Sequence, residues 1–215
     1  MQATMNDFLN GLVSDLKPVR PRRPYFEAMM LAGLCFAELT LWLALGQARP
    51  HLMQVAQTTP AFWWRLASFG LVAGLGAATA ISSFDPTVSP RRGLMWIVAA
   101  FALYLIGGLF LHGPSGRIGV IQRLDWSDGV DCLIKVALLS APVTAALGVF
   151  MRAGAPTHRA GTALASGIAA AAWAAFVFTF ACPHDDPLYV TVWYTLACAL
   201  SAAAARIVLP IVARW

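Results

Sequence analysis

Six apolar segments, each near the roughly 20 residues an α-helix needs to cross a bilayer, leave this chain few choices of fold. They lie at about 26–46, 62–82, 94–112, 131–151, 160–181 and 188–208. Breakers and charge separate them: Gly46 to Pro60, Asp85-Pro86 through Arg91-Arg92, Gly113-Pro114, Gly154 to Arg159, and Pro183 to Pro187. Backbone groups in hydrocarbon have no water to bond, so each must be satisfied within its own helix. The expected fold is all-α. An integral membrane six-helix bundle spans residues 26–215, and residues 1–25 form a cytoplasmic tail with a short amphipathic helix.

Composition agrees with a lipid-solvated surface. Only 12% of the residues are charged, against about 25% in a soluble domain, and the mean hydropathy is +0.68. The net charge of +5 does not point to nucleic acid, because no aromatic-studded basic patch is present for base stacking. The cations lie at segment ends, where they set orientation. With the N-terminus inside, Lys17, Arg20, Arg22, Arg23, Arg91, Arg92, Arg152, Arg159, Arg206 and Arg214 are cytoplasmic. Arg49, Arg65, Arg117, Arg123 and Lys135 are then outside or at the outer edge. That bias places both termini in the cytoplasm, which an even number of spans requires. No continuous apolar core precedes the first span, so nothing there reads as a cleavable leader.

In the tail, Phe8, Leu9, Leu12, Val13 and Leu16 fall on one face at helical spacing over residues 4–17, with Thr4 or Asn6 as cap. Pro18, Pro21 and Pro24 follow as a stiff connector. Residues 1–16 carry Asp7 and Asp15 and no Lys or Arg. A helix resting on anionic lipid is normally basic, so this apolar stripe suits a protein groove better. Within the spans, Gly70 and Gly74, then Gly161, Ala165 and Ala169, then Ala197, Ser201 and Ala205, are small residues at the spacing that lets helices approach. Trp63, Trp64, Trp126, Tyr189 and Trp193 read as an aromatic belt at the outer interface, and Tyr25, Trp96 and Trp215 at the inner one.

Chemistry concentrates in two polar stretches, Arg123 to Cys132 and Cys182 to Pro187. Cys132 opens the fourth span and Cys182 closes the fifth, so antiparallel neighbours joined at the inner side bring the two thiols together at the outer face. An oxidising outer compartment permits a disulfide there. Cys132 is expected in the first turn of its helix, capped by Ser127 or Asp128. The helix dipole and Lys135 would lower its pKa, while Asp128 and Asp131 oppose them. A stabilising disulfide, two unpaired thiols, and a soft divalent metal at Cys132 and Cys182 all remain open. His184, Asp128, Asp131, Asp185 and Asp186 are available to complete a metal shell, although the spacing matches no familiar zinc pattern. The same acids would otherwise form a solvated negative face. Cys35 and Cys198 lie mid-span and read as inert. Glu38, an acid inside the first span, reads as a structural hydrogen-bonding group ahead of a proton relay. No nucleophile elbow, phosphate-binding loop or zinc-protease motif occurs, so an enzyme is not expected.

Three stretches resemble the NrsF family: Leu12 to Pro21, Leu124 to Leu133, and Cys182 to Tyr194. Members are six-span bacterial membrane proteins that act as anti-sigma factors for extracytoplasmic-function (ECF) sigma factors. The resemblance covers essentially the whole chain, and the cysteine motifs are its specific part. It implies a bacterial inner-membrane location, a cytoplasmic N-terminus that holds an ECF sigma factor, and signal-responsive Cys132 and Cys182. The signal, redox or heavy metal, is not implied. The competing classes are a membrane thiol oxidoreductase and a small transporter. The first normally needs a shuttle pair that Cys35 and Cys198 supply poorly, and the second normally uses broken helices.

Overall fold

The computed structural model describes residues 22–110 and 123–213. The tail stripe from Phe8 to Leu16, together with Lys17, Arg20, Arg117, Arg214 and Trp215, lies outside the described residues. Among the described residues all regular structure is helical: α1 Pro24–Ala44, α2 Leu52–Thr58, α3 Pro60–Ser83, α4 Arg91–Phe110, α5 Trp126–Ala153, α6 Arg159–Phe178 and α7 Pro187–Val212. All but α2 are long and apolar enough to cross a membrane. α1, α3 and α7 each open on a proline, where its missing N–H costs nothing and its fixed φ suits the first turn.

α6 is the axis of the bundle. No residue from Gly161 to Phe180 is exposed, and α3, α5 and α7 pack around it. Its alanines make this crowding feasible. A Cβ on Gly76 of α3 would come within 2.9 Å of the Ala169 Cα, and one on Gly167 within 2.9 Å of the Ala202 Cα. The close approaches expected of Ala165, Ala169, Ala197 and Ala205 are therefore present, all four being buried. The expectation for Gly70 and Gly74 is not met in the same way. A Cβ on Gly74 would meet no atom within 4 Å, and one on Gly70 only the Phe176 ring at 3.4 Å. These residues face an open cleft beside α1.

Helix ends are fixed by contacts between loops. Arg22 reaches the Ile81 carbonyl at 3.2 Å, and the Ala155 N–H donates to the Phe84 carbonyl at 3.2 Å. The start of α1 and the ends of α3 and α5 thus share one end of the bundle, the tail end. At the opposite end, the Arg49 N–H donates to the Phe180 carbonyl at 2.9 Å, and Arg123 pairs with Asp186. α1 is the least embedded of the six long helices, with Leu31 its only buried residue. Outward-facing Phe36, Leu103, Leu138 and Ile207 are widely exposed, which suits a surface in lipid rather than water.

Two expectations change in detail. The α5 helix begins at Trp126, so Cys132 sits in the second turn, beyond the reach of the end charges of the helix. Asp125, at φ 30, holds the N-cap position in place of Ser127 or Asp128, and makes no side-chain cap bond. The aromatic belt is also only partly a belt. Trp63, Trp126, Tyr25 and Trp96 are exposed, but Tyr189 and Trp193 are buried and Trp64 stacks on Tyr104 at 4.7 Å.

Candidate thiol site at one end of the bundle

Cys132 on α5 and Cys182, just beyond α6, line one polar cavity of about 190 Å³ at the end opposite the tail. Both thiols are free and buried, at 2% and 1% exposure. Trp42 and Gln47 from the far end of α1 close one wall, and Asp128, Asp131 and His184 stand at the polar side. The Cys182 thiol donates weakly to the His184 carbonyl at 3.8 Å. A His184 Nε2 to Asp128 Oδ2 contact of 2.8 Å bridges the two motifs. Lys135 pairs with Asp131 one turn below it.

The 182–187 loop is pinned by arginines. Arg49 Nη1 donates to the Cys182 carbonyl at 3.1 Å and to Asp185 at 3.0 Å. Arg65 Nη1 donates to the His184 carbonyl at 2.8 Å, and its Nη2 to the same Asp185 oxygen at 2.5 Å. The Arg65 side chain is wholly buried and that of Arg49 is 4% exposed. Burial of such charges is tolerated only with a partner, and Asp185 serves both. Arg123 forks onto Asp186 through Nε at 2.8 Å and Nη2 at 2.6 Å, while Asp186 also caps α7 by accepting from the Leu188 N–H at 3.0 Å. Burial opposes the charged form of Asp186. The Arg123 fork and the cap bond outweigh it and hold the carboxyl below its ordinary range. The Ser127 hydroxyl does the same for Asp125.

The Trp-containing motif is anchored by a second device. The Trp193 ring lies against Gly129, where a Cβ would fall 1.9 Å from the ring, and its Nε1 donates to the Leu124 carbonyl at 2.7 Å. Glycine in the 124–133 motif is therefore a packing requirement.

Asp128, Asp131 and His184 thus share the cavity with both thiols, while Asp185 and Asp186 turn to arginines. The solvated negative face holds only for Asp128 and Asp131, which are 55% and 59% exposed. Among the described residues, no three His, Cys, Asp or Glu side chains converge as a metal shell. Sequence reasoning treated Arg49 and Arg65 only as orientation charges and missed their clamp. The available signal was two arginines next to apolar segments in a chain with only 10 acids, two of them adjacent in the cysteine motif. Glu38 accepts from Trp173 Nε1 at 2.9 Å, a structural bond between α1 and α6. Cys35 and Cys198 are half-buried and lie away from the cavity.

No solved structure matches this chain. A curated relative, the probable anti-sigma-F factor NrsF of Azospira oryzae, is 29% identical over 81% of this chain and 82% of its own length. The family model described as NrsF, negative regulator of sigma F, matches residues 12–215, from the tail through both cysteine motifs to the last helix. On that match the chain belongs to the NrsF family of negative regulators.

Proposed function

We propose that this chain is an inner-membrane anti-sigma factor. Its cytoplasmic N-terminal segment sequesters an ECF sigma factor and releases it when a periplasmic oxidant reaches Cys132 and Cys182. The observation that carries the reading is the pair of unbonded, buried thiols lining one polar cavity at the end of the bundle opposite the tail. Family membership supplies the regulatory role, and the cation bias supports a cytoplasmic tail. In the oxidation step a sulfur–sulfur bond forms and two S–H bonds break. Two protons leave, and two electrons pass to a thiol oxidant. The clamp on the 182–187 loop keeps the Cys182 backbone in place while this happens. A soft divalent cation captured by both thiolates is the alternative outcome, for which His184 and Asp128 would have to turn from their mutual contact to complete a shell.

The test is capture of a sigma factor from detergent extract, with residues 1–25 intact and with Leu12→Asp. Burying one leucine contributes about 1.5–3 kcal/mol, and a buried unpaired charge adds to the loss, so the variant should release the sigma factor while remaining in the membrane. Unchanged capture removes this face of the tail. In cells, Cys132→Ser with Cys182→Ser should lose the response to diamide. A parental response would reduce the pair to a structural feature.

A further inference from the structure

α1 is the only helix that both touches the thiol cavity and runs directly into the tail. Trp42 on its last turns lines the cavity, and Arg22 lies two residues before its first residue. Of the six long helices it is also the one held most lightly. A cleft of about 580 Å³ separates it from α3 and α6, lined among others by Leu31, Cys35, Gly74, Ala77, Trp173 and Phe176. The small residues on the α3 side leave room for α1 to approach. Nothing occupies the space a Gly74 Cβ would enter.

The polar ties of α1 are few and well separated. Midway, Glu38 accepts from Trp173 Nε1 at 2.9 Å. At the tail end, Arg22 pairs with Glu27, donates to the Ile81 carbonyl, and lies 5.0 Å over the Phe84 ring. At the thiol end the helix turns at Gly46, whose φ of 70 suits only glycine without strain, and leads into Arg49. Arg49 in turn holds the Cys182 carbonyl at 3.1 Å. A continuous mechanical connection therefore runs from Cys182 through Arg49 and the Gly46 turn to α1, Arg22 and the tail. Trp42 Nε1 is buried without a hydrogen-bond partner among the described residues.

We propose that α1 is the moving arm that carries the state of the thiol cavity to the tail, shifting across the cleft toward α3 and α6 about the Glu38–Trp173 bond. This rests on the thiol-sensing reading above. α6 cannot serve as the arm, since it is locked by close backbone approaches on α3 and α7. Sliding or tilting of one lightly packed helix is a familiar form of two-state change, and a signal biases it by its differential affinity for the two positions.

The experiment uses the full chain in cells with its sigma factor and a sigma-dependent reporter. Diamide is the oxidant, and the state of Cys132 and Cys182 is followed by thiol labelling. Gly74→Leu projects into the cleft from a position whose Cβ meets no neighbouring atom. The oxidised fraction of the two thiols should match the parent, while the ratio of stressed to unstressed reporter output falls about tenfold, a coupling change on the order of 1.4 kcal/mol. A membrane-inserted Gly74→Leu protein with parental output overturns the arm. If its abundance drops, Glu38→Gln and Glu38→Leu decide. Glutamine keeps an acceptor for Trp173 and should retain the response, whereas leucine should lose it. Equal responses from the two would overturn the proposal. A failure of the sensing reading itself shows elsewhere, as a diamide response surviving in the protein lacking both cavity cysteines.

Discussion

Replacing Asp185 with asparagine should open the Cys182 loop, and the size of the effect follows from the clamp. The carboxylate faces two guanidinium groups whose side chains are 4% and 0% exposed. Removing one partner of a buried ion pair costs about 3–5 kcal/mol, because the other charge stays buried. Asp185 is itself 36% exposed, so the lower figure, about 3 kcal/mol, applies after discounting for solvent screening. At about 1.4 kcal/mol per decade, the open population of the loop rises about a hundredfold. Arg65→Met removes two hydrogen bonds from a charged donor, to Asp185 and to the His184 carbonyl, and leaves Arg49 on Asp185; at about 1.5 kcal/mol each the loss is about 3 kcal/mol, or roughly a hundredfold. The assay is the native-state alkylation rate of Cys182 in membranes, with the other three cysteines changed to serine. Loop opening gates reagent access, so the rate reports the open fraction. The two variants change local charge in opposite directions. Asp185→Asn removes a negative charge beside the loop and Arg65→Met a positive one, yet both should accelerate labelling. Opposite signs, or no change in either, would refute the clamp as the element that holds Cys182 shut.

Three further outcomes follow from the same geometry. Gly129→Ala should displace the Trp193 ring, with an overpacking cost of about 1–3 kcal/mol that a thermal melt in detergent would register; Trp193→Phe, which loses both the bond to Leu124 and part of the buried indole on Gly129, should cost more than the roughly 1 kcal/mol of the bond alone. The folded pKa of Asp186 is depressed, so its contribution is present above the ordinary carboxylate value near 3.9 and is lost as pH falls through the lower folded value. Asp186→Asn should therefore flatten the acid side of a stability-against-pH curve recorded by tryptophan fluorescence. Topology reporters fused after Ala213 and within 113–125 should report opposite compartments, and the same compartment for both would undo the assignment of the cavity to the periplasmic side.

The bundle was legible because helix length and breakers are local properties. Each of the six apolar segments corresponds to a long helix, with ends shifted by a few residues. The largest shift is at Trp126, where a polar first turn hides a helix start from a hydropathy criterion. The short α2 was missed because its seven residues lie within a stretch read as an interruption, although Leu52, Val55 and Ala56 share one half-buried face. The juxtaposition of Cys132 and Cys182 was legible from antiparallel order alone. The arginine clamp was not, since it joins positions more than a hundred residues apart: Arg49 and Arg65 with Asp185. Likewise a G-x-x-x-G spacing shows where a helix could be approached, and only the fold shows that Gly74 lacks a neighbour while Gly76 and Gly167 carry the contacts.

The two ends of the molecule are fastened differently, and this suits a device that turns a covalent event into a displacement. Around the thiols, Arg49, Arg65, Arg123 and Trp193 each bond the short segments that bear the cysteine motifs. A rigid frame keeps the free energy of thiol chemistry from dissipating in local loop motion, so strain at Cys182 is passed to whatever shares its bonds. Arg49 does, and beyond the Gly46 turn it leads only to α1. Moving α6 would mean separating backbones already in contact at Gly76 and Gly167, a large cost in a close-packed interior. α1 has only Leu31 fully buried to give up, and in lipid its displacement forfeits packing contacts rather than burial from water. The helix joined to the tail is therefore also the one whose displacement a modest chemical signal can drive.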